Sequence, residues 1–199
     1  MRIIPKNIIV IGVSTGGPKV LGLLFSGLPM LNASIVLVQH MPKFINNSFK
    51  DTLSMNTEMQ LKIAEDGDVL KEGMVYIAPS DIHLKLSCNL RIRLFHGEKV
   101  NSVRPSIDIA MKSVKQLSQN KVIGIVLTGM GRDGSEGISH IKSIGGITIA
   151  EDEKSCVIYS MPKAAVETGD VDEILTPEQI QARLIELVGV KKEPMIIEA

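Results

Sequence analysis

The 199-residue sequence contains no Trp, 2 Tyr and 4 Phe. That scarcity argues against a nucleic-acid surface built on aromatic stacking. It also has no charge of one sign to spend, because 22 Lys+Arg stand against 22 Asp+Glu. Binding to nucleic acid or to a membrane surface through net charge is therefore not expected, and no nucleic-acid partner is assigned. The 2 cysteines, Cys88 and Cys156, lack a CxxC partner, which removes a disulfide framework and a zinc knuckle. No apolar run reaches membrane-spanning length, so membrane insertion is not expected. The opening Met1-Arg2-Ile3-Ile4-Pro5-Lys6 is too short for a signal peptide, which makes the cytoplasm the expected compartment. What is there is an ordinary apolar load in a chain long enough to bury roughly 70% of its unfolded surface without staples.

Short aliphatic runs alternate with helical patterns. Ile8-Ile9-Val10-Ile11 and Ile35-Val36-Leu37-Val38 run on without polar alternation, as strands buried on both faces do. Between them Pro18 sits where a first helical residue would, followed by an apolar face of Val20, Leu21, Leu24 and Phe25. Ile45, Phe49 and Leu53 predict a second helix. The middle adds a strand at Met74-Val75-Tyr76-Ile77. There follow two alternating runs, Ile82 to Leu86 and Arg91 to Phe95, which predict a half-exposed hairpin attached to the sheet. A helix through Ile107, Met111 and Val114 comes next, then the strand Val122 to Leu127 and a helix stopped by Gly145-Gly146. Ile147 to Ala150 and Glu173-Ile174-Leu175 are further strands, and Thr176-Pro177-Glu178-Gln179 is a capping box opening the last helix. The fold class is α/β: a doubly wound, mostly parallel sheet with helices on both faces and an antiparallel hairpin. Residues 1–190 form one domain and 191–199 a C-terminal tail.

In such sheets chemistry collects at the carboxyl ends of the strands. Three loops there hold a Ser, a His and an Asp: Gly12-Val13-Ser14-Thr15-Gly16-Gly17, Gln39-His40-Met41-Pro42 and Thr128-Gly129-Met130-Gly131-Arg132-Asp133-Gly134. The first reads G-x-S-x-G, the form of a nucleophile elbow, and equally that of a glycine turn cradling a phosphate. A dinucleotide fold wants a carboxylate at the end of the second strand to hold the ribose. Gln39-His40 stands there instead, which favours the elbow. A histidine after a strand is ordinarily a loop or core residue, and an Asp among glycines is ordinarily a turn residue. The three together are the components of a nucleophile, a base and its orienting acid.

Other groups point elsewhere. His83 is expected to be exposed on the hairpin, His96 to end a strand at a turn and His140 to be solvated on a helix. None has metal-ligand spacing, so neither metal nor cofactor is expected. Glu65-Asp66-Gly67-Asp68 reads as a turn between strands, since it lacks the ligand ladder of a calcium loop. Met41, Met130 and Met161 are placed in loops at the active face, where their flexible side chains would suit a docking surface.

The three loops, together with Tyr76-Ile77-Ala78-Pro79, Arg104-Pro105-Ser106-Ile107-Asp108 and Ser155-Cys156-Val157, resemble the catalytic domain of the chemotaxis methylesterase CheB. The likeness runs in order from Ile8 to Ile174. It implies a serine hydrolase that removes methyl esters from receptor glutamates and deamidates certain receptor glutamines, with the cytoplasmic helix bundle of methyl-accepting chemoreceptors as partner. Carried over by position, it implies Ser14 as nucleophile, His40 as base and Asp133 as orienting acid, with backbone N–H groups at Thr15 and Met130 as oxyanion donors. Arg132 stands where the family often has Asn. The family usually carries a receiver domain ahead of the esterase; here the expectation is a response-regulator domain supplied in trans or cut away. The competing readings are a non-catalytic relative that binds receptors and a nucleotide-binding oxidoreductase using the glycine loop.

Overall fold

A computed structural model of the chain describes residues 5–115 and 121–191. Seven strands form one parallel sheet: β1 (Asn7–Val13), β2 (Ser34–Gln39), β3 (Gln60–Ile63), β4 (Met74–Ile77), β7 (Lys121–Val126), β8 (Ile147–Glu151) and β9 (Glu173–Leu175). Their order is β3-β4-β2-β1-β7-β8-β9. From β1 the chain passes to β2 and on to the edge strand β3, fills in β4 between them, then returns to the other side of β1 and builds outward through β7, β8 and β9. The point where the winding reverses is thus the carboxyl end of β1, where crossover loops diverge and leave a crevice.

Every residue of β1 and β2 is buried, which is why their sequences are β-branched without alternation. β1 divides its side chains between two cores. Ile9, Ile11 and Val13 face α1 (Gly17–Phe25), α2 (Asn46–Ser54) and α6 (Pro177–Val188). Ile8 and Val10 face the layer holding α3 (Ile107–Lys112), α4 (Ser135–Ser143) and α5 (Ser160–Val166). Truncating a side chain as buried as Ile11 to Ala costs about 2–5 kcal/mol, from lost transfer energy and the cavity left behind.

The doubly wound, mostly parallel architecture is the one the periodicity predicts, and α6 starts at the predicted capping box. Thr176 N–H donates to Gln179 Oε1 at 2.9 Å, and Gln179 N–H returns to Thr176 Oγ1 at 3.4 Å. Three details differ. The hairpin of β5 (His83–Leu86) and β6 (Ile92–Phe95) is a separate two-stranded sheet, not an extension of the large one. It is held by β5 against α3 and by hydrogen bonds from the 67–70 segment to β6 and Leu90, such as Gly67 N–H to Ile92 O at 2.9 Å. The edge strand β3 and the short helix α5 had no counterpart in the sequence reading. Gly17, not Pro18, is the first residue of α1. At the other end Lys191 N–H donates to Met30 O at 2.6 Å; the remainder of the expected tail, 192–199, lies outside the described residues.

Candidate active site

Ser14 follows the last residue of β1. Its N–H donates to Thr128 O at 2.9 Å, and its carbonyl accepts Gly17 N–H at 2.9 Å, closing a turn into α1. Gly16, the N-cap of that helix, has φ +88°, the left-handed region that L side chains rarely adopt. Gly129 lets the opposite loop come close: a Cβ there would lie 2.7 Å from Ser14 Cβ and 2.3 Å from Met161 Sδ. Val13 pairs with Gln39 in the parallel β1–β2 register, so Ser14 and His40 occupy the next positions on adjacent strands. Neighbouring strands lie about 4.8 Å apart. His40 N–H donates to Val13 O at 3.1 Å, extending the ladder to the histidine.

His40 Nε2 is 3.1 Å from Asp133 Oδ2, and the two side chains are 11% and 3% exposed. Asp133 also accepts Ile107 N–H (2.6 Å), the Ser106 hydroxyl (2.8 Å), Asp108 N–H (3.2 Å) and the Asn101 amide (3.2 Å). Burial pushes the Asp133 carboxyl up. The hydrogen bonds from His40, Ile107 and Ser106 outweigh it and hold the group below its ordinary range, so Asp133 is ionised. An ionised carboxylate only accepts, so a neutral His40 places its proton on Nε2 and its lone pair on Nδ1. Nδ1 is buried with no hydrogen-bond partner among the described residues. The ring therefore carries an unused acceptor at the end of the strand next to the Ser14 turn.

Thr15 and Met130 are both exposed, and neither N–H donates to an acceptor among the described residues. The amides on either side of Met130 are engaged: Gly129 N–H with Ile158 O at 2.9 Å and Gly131 N–H with the Ser160 hydroxyl at 3.2 Å. Arg132 projects into solvent beside them.

A family model described as CheB methylesterase matches residues 9–184 of this sequence. The chain belongs to the CheB methylesterase family. It is 43% identical over 186 residues to a protein-glutamate methylesterase/protein-glutamine glutaminase of Thermotoga maritima, covering 92% of this chain and 54% of that protein. A Pyrococcus abyssi protein of the same name is 44% identical over 192 residues, covering 93% and 52%. The chain thus spans about half the length of the curated relatives it matches. Its fold superposes on the CheB methylesterase catalytic domain of Thermotoga maritima with a TM-score of 0.84 at 41% identity, covering 91% of this chain and 98% of the other.

Several expectations about side chains are corrected. His83 is fully buried rather than exposed: its Nδ1 accepts Ser106 N–H at 3.2 Å and its Nε2 contacts Glu98 O at 2.8 Å. The start of the hairpin is covered on both faces, because the 97–104 loop and the start of α3 close over it. His140 is half-buried, with Nε2 2.9 Å from Val114 O, while His96 is exposed beyond the end of β6. Met161 is not in a loop; it lies in α5 with no exposed surface, and Met41 is half-buried. Of the three methionines Met130 alone is fully exposed, at 75%; Phe44 (86%) and Val157 (49%) are exposed apolar residues as well. The acidic turn is a turn: Asp68 accepts Glu65 N–H at 2.8 Å and Lys62 at 2.9 Å. Among the described residues no three His, Cys, Asp or Glu side chains come together as metal ligands, and both cysteines are free.

Sequence reasoning missed the polar residues that hold the site. Gln39 Nε2 reaches the carbonyls of Ser14 and His40. Glu151, fully buried at the end of β8, accepts Thr128 N–H at 2.7 Å on the loop that supports Ser14. Asn101, Ser106 and Asp108 surround Asp133. A buried Gln at the end of an aliphatic strand and an Asn-Ser pair between two valines were the available signals.

Proposed function

We propose that the chain is a protein-glutamate methylesterase and protein-glutamine deamidase, acting on the cytoplasmic helices of methyl-accepting chemoreceptors through Ser14, His40 and Asp133. The observation that carries this reading is His40: Nε2 is engaged by Asp133, while Nδ1 is buried and unused on the strand beside Ser14. A serine hydroxyl attacks esters only when a base removes its proton, and Nδ1 is the free lone pair at the site. As Oγ of Ser14 adds to the ester carbonyl carbon, its proton passes to Nδ1, and the ionised Asp133 stabilises the imidazolium that forms. The carbonyl oxygen becomes an oxyanion facing the N–H groups of Thr15 and Met130. Collapse expels methanol, which takes the proton from His40 and leaves an acyl-Ser14. Water then adds with His40 again as base, releasing the glutamate carboxylate and the free serine. With a glutamine side chain the same steps release ammonia.

The names of the relatives support the two activities. Among the described residues no helix is long and apolar enough to cross a membrane. Since the chain spans about half of those relatives, a response-regulator domain in the same polypeptide or in trans belongs to the reading as a partner. The test is methanol release from methylated receptor membranes by the native chain and by Ser14→Ala. The expected result is a folded variant with turnover reduced to background. Substantial residual turnover would remove Ser14 from the mechanism.

A further inference from the structure

Asp108 has no role in a Ser-His-Asp triad, yet its carboxyl is as buried as that of Asp133, each residue being 2% exposed. A buried carboxyl is costly unless donors surround it. Its donors come from α4: Oδ1 accepts Gly134 N–H at 2.9 Å and Gly137 N–H at 2.7 Å. Asp133, just ahead of α4, in turn accepts Ile107 and Asp108 N–H from the start of α3. Each acid has been exchanged into the first turn of the other's helix, where unpaired amides favour an anion. One donor joins them: Asn101 Nδ2 lies 2.8 Å from Asp108 Oδ2 and 3.2 Å from Asp133 Oδ1. Asn101 stands at the tip of a two-residue turn in which Val100 and Val103 exchange both backbone hydrogen bonds, at 3.2 and 3.0 Å. Asn101 and Ser102 have φ 50° and 66°, as such a turn requires.

We propose that Asp108, bridged by Asn101, is a positioning residue for Asp133 and sets the negative charge felt by the Asp133–His40 pair. The inference rests on the hydrolase reading of the site. The Gly134 amide that Asp108 holds belongs to the peptide directly after Asp133, so losing that contact frees the turn that aims the Asp133 carboxylate. Burial, with the neighbouring Asp133 charge adding to it, pushes the Asp108 carboxyl up to about 6, against the pull of the Gly137 and Gly134 amides. Asp108 thus exchanges its proton close to neutrality. Ionised, it adds a second negative charge beside the Asp133 carboxylate; protonated, it withdraws that charge from the Asp133–His40 pair. Other ionisable groups on elements packed against α3 are engaged elsewhere. His83 lies between Ser106 and Glu98, Glu136 pairs with Lys112, His140 contacts Val114 O, Lys142 pairs with Asp172, and Lys85 lies over the Phe95 ring. Arg132, next to Asp133 in sequence, is exposed.

The experiment is the pH profile of methanol release by the native chain, Asp108→Asn, Asn101→Ala and Ser14→Ala, with thermal unfolding of each. In the native chain the acid limb should be steeper than loss of a single proton. Asp108→Asn removes one titrating group and one negative charge, so its limb should flatten to one proton and move to lower pH, with plateau turnover roughly ten- to a hundredfold lower. Asn101→Ala removes the donor shared by two carboxylates, which favours their protonation, so its limb should move to higher pH. A merely structural role would lower both rates without separating the limbs in opposite directions; that result, or unchanged limbs, overturns the inference. Asn101 lies on an exposed turn, so its variant remains informative if Asp108→Asn does not fold. If the native chain releases no more methanol than Ser14→Ala, the hydrolase reading fails instead. Titrating the His40 Cε1–H signal by NMR in the native chain and Asp108→Asn still decides the Asp108 inference: a midpoint moved to lower pH in the variant upholds it, and coincident curves refute it.

Discussion

Gln39 ties the serine turn to the histidine strand, its Nε2 donating to Ser14 O at 3.0 Å and to His40 O at 2.8 Å. One side chain thus fixes the carbonyls of both residues that the proposed proton transfer joins. Its Oε1 is buried against Gly17, where an added Cβ would approach it to 1.9 Å.

Replacing Gln39 with Leu keeps the bulk and removes both donors. The His40 carbonyl loses its side-chain partner, and Ser14 O keeps only Gly17 N–H. The expected cost is about 1–3 kcal/mol of stability, with turnover falling more than substrate affinity because the two side chains lose their fixed spacing. Thermal unfolding and steady-state methanol release measure the two effects. Unchanged turnover in a folded Gln39→Leu protein would show that the strands alone hold the spacing.

Asp133 combines a catalytic proposal with a pH signature. Its folded-state pKa lies below the ordinary value, so it contributes stability above the unfolded carboxylate range and loses that contribution as pH falls through the folded pKa. Asp133→Asn should therefore lose stability at neutral pH, and its acid unfolding should lack this increment below about pH 4. Turnover should fall by roughly 10³–10⁴, since an amide can present its NH2 to Nε2 and favour the wrong tautomer. Parallel acid-unfolding curves for the two proteins would argue against an ionised Asp133.

Glu151 has the opposite sign. Burial pushes its carboxyl up, against the hydrogen bonds from Thr128 N–H and the Ser155 hydroxyl. A raised carboxyl pKa costs stability above the folded value, and the cost vanishes as pH falls below the unfolded one. Glutamine can accept Thr128 N–H and donate to Ser155 Oγ, whose own proton is then free to turn to Asp152 O, 3.0 Å away. Glu151→Gln should raise the melting temperature at pH 7, keep esterase turnover, and lose its advantage toward pH 4. A lower melting temperature at neutral pH would show that the charge itself is needed there.

The elements that can be read from the sequence are those whose burial is one-sided or complete. β1, β2 and β7 stand out because both faces are covered along unbroken apolar or small runs that start at Ile8, Ile35 and Val122. α6 stands out because its cap is written in Thr176 and Gln179. β3 escapes notice because Gln60-Leu61-Lys62-Ile63 is four residues long at an open edge, where nothing demands a buried run. Pro162 makes α5 read as loop, although proline is tolerated in a first helical turn. The triad candidates are legible because glycines and a strand-end histidine mark three loops converging on one crevice. Gln39, Asp108 and Glu151 are not, because their roles depend on amides presented by segments distant in sequence. His83 misleads for a related reason: alternation along β5 reports one covered face, whereas the 97–104 loop covers the other at that residue alone.

The strand that carries Ser14 is shared by both hydrophobic cores, with Ile9, Ile11 and Val13 in one and Ile8 and Val10 in the other. Neither layer can loosen around β1 without disturbing the opposite layer. The loss of freedom needed to aim the Ser14 hydroxyl is consequently incurred once, when the chain folds, and not each time a substrate arrives. Under the proposed function, a flexible ester on a receptor helix would meet a target that is already at rest, leaving the visiting side chain as the partner with the larger share of ordering still to undergo.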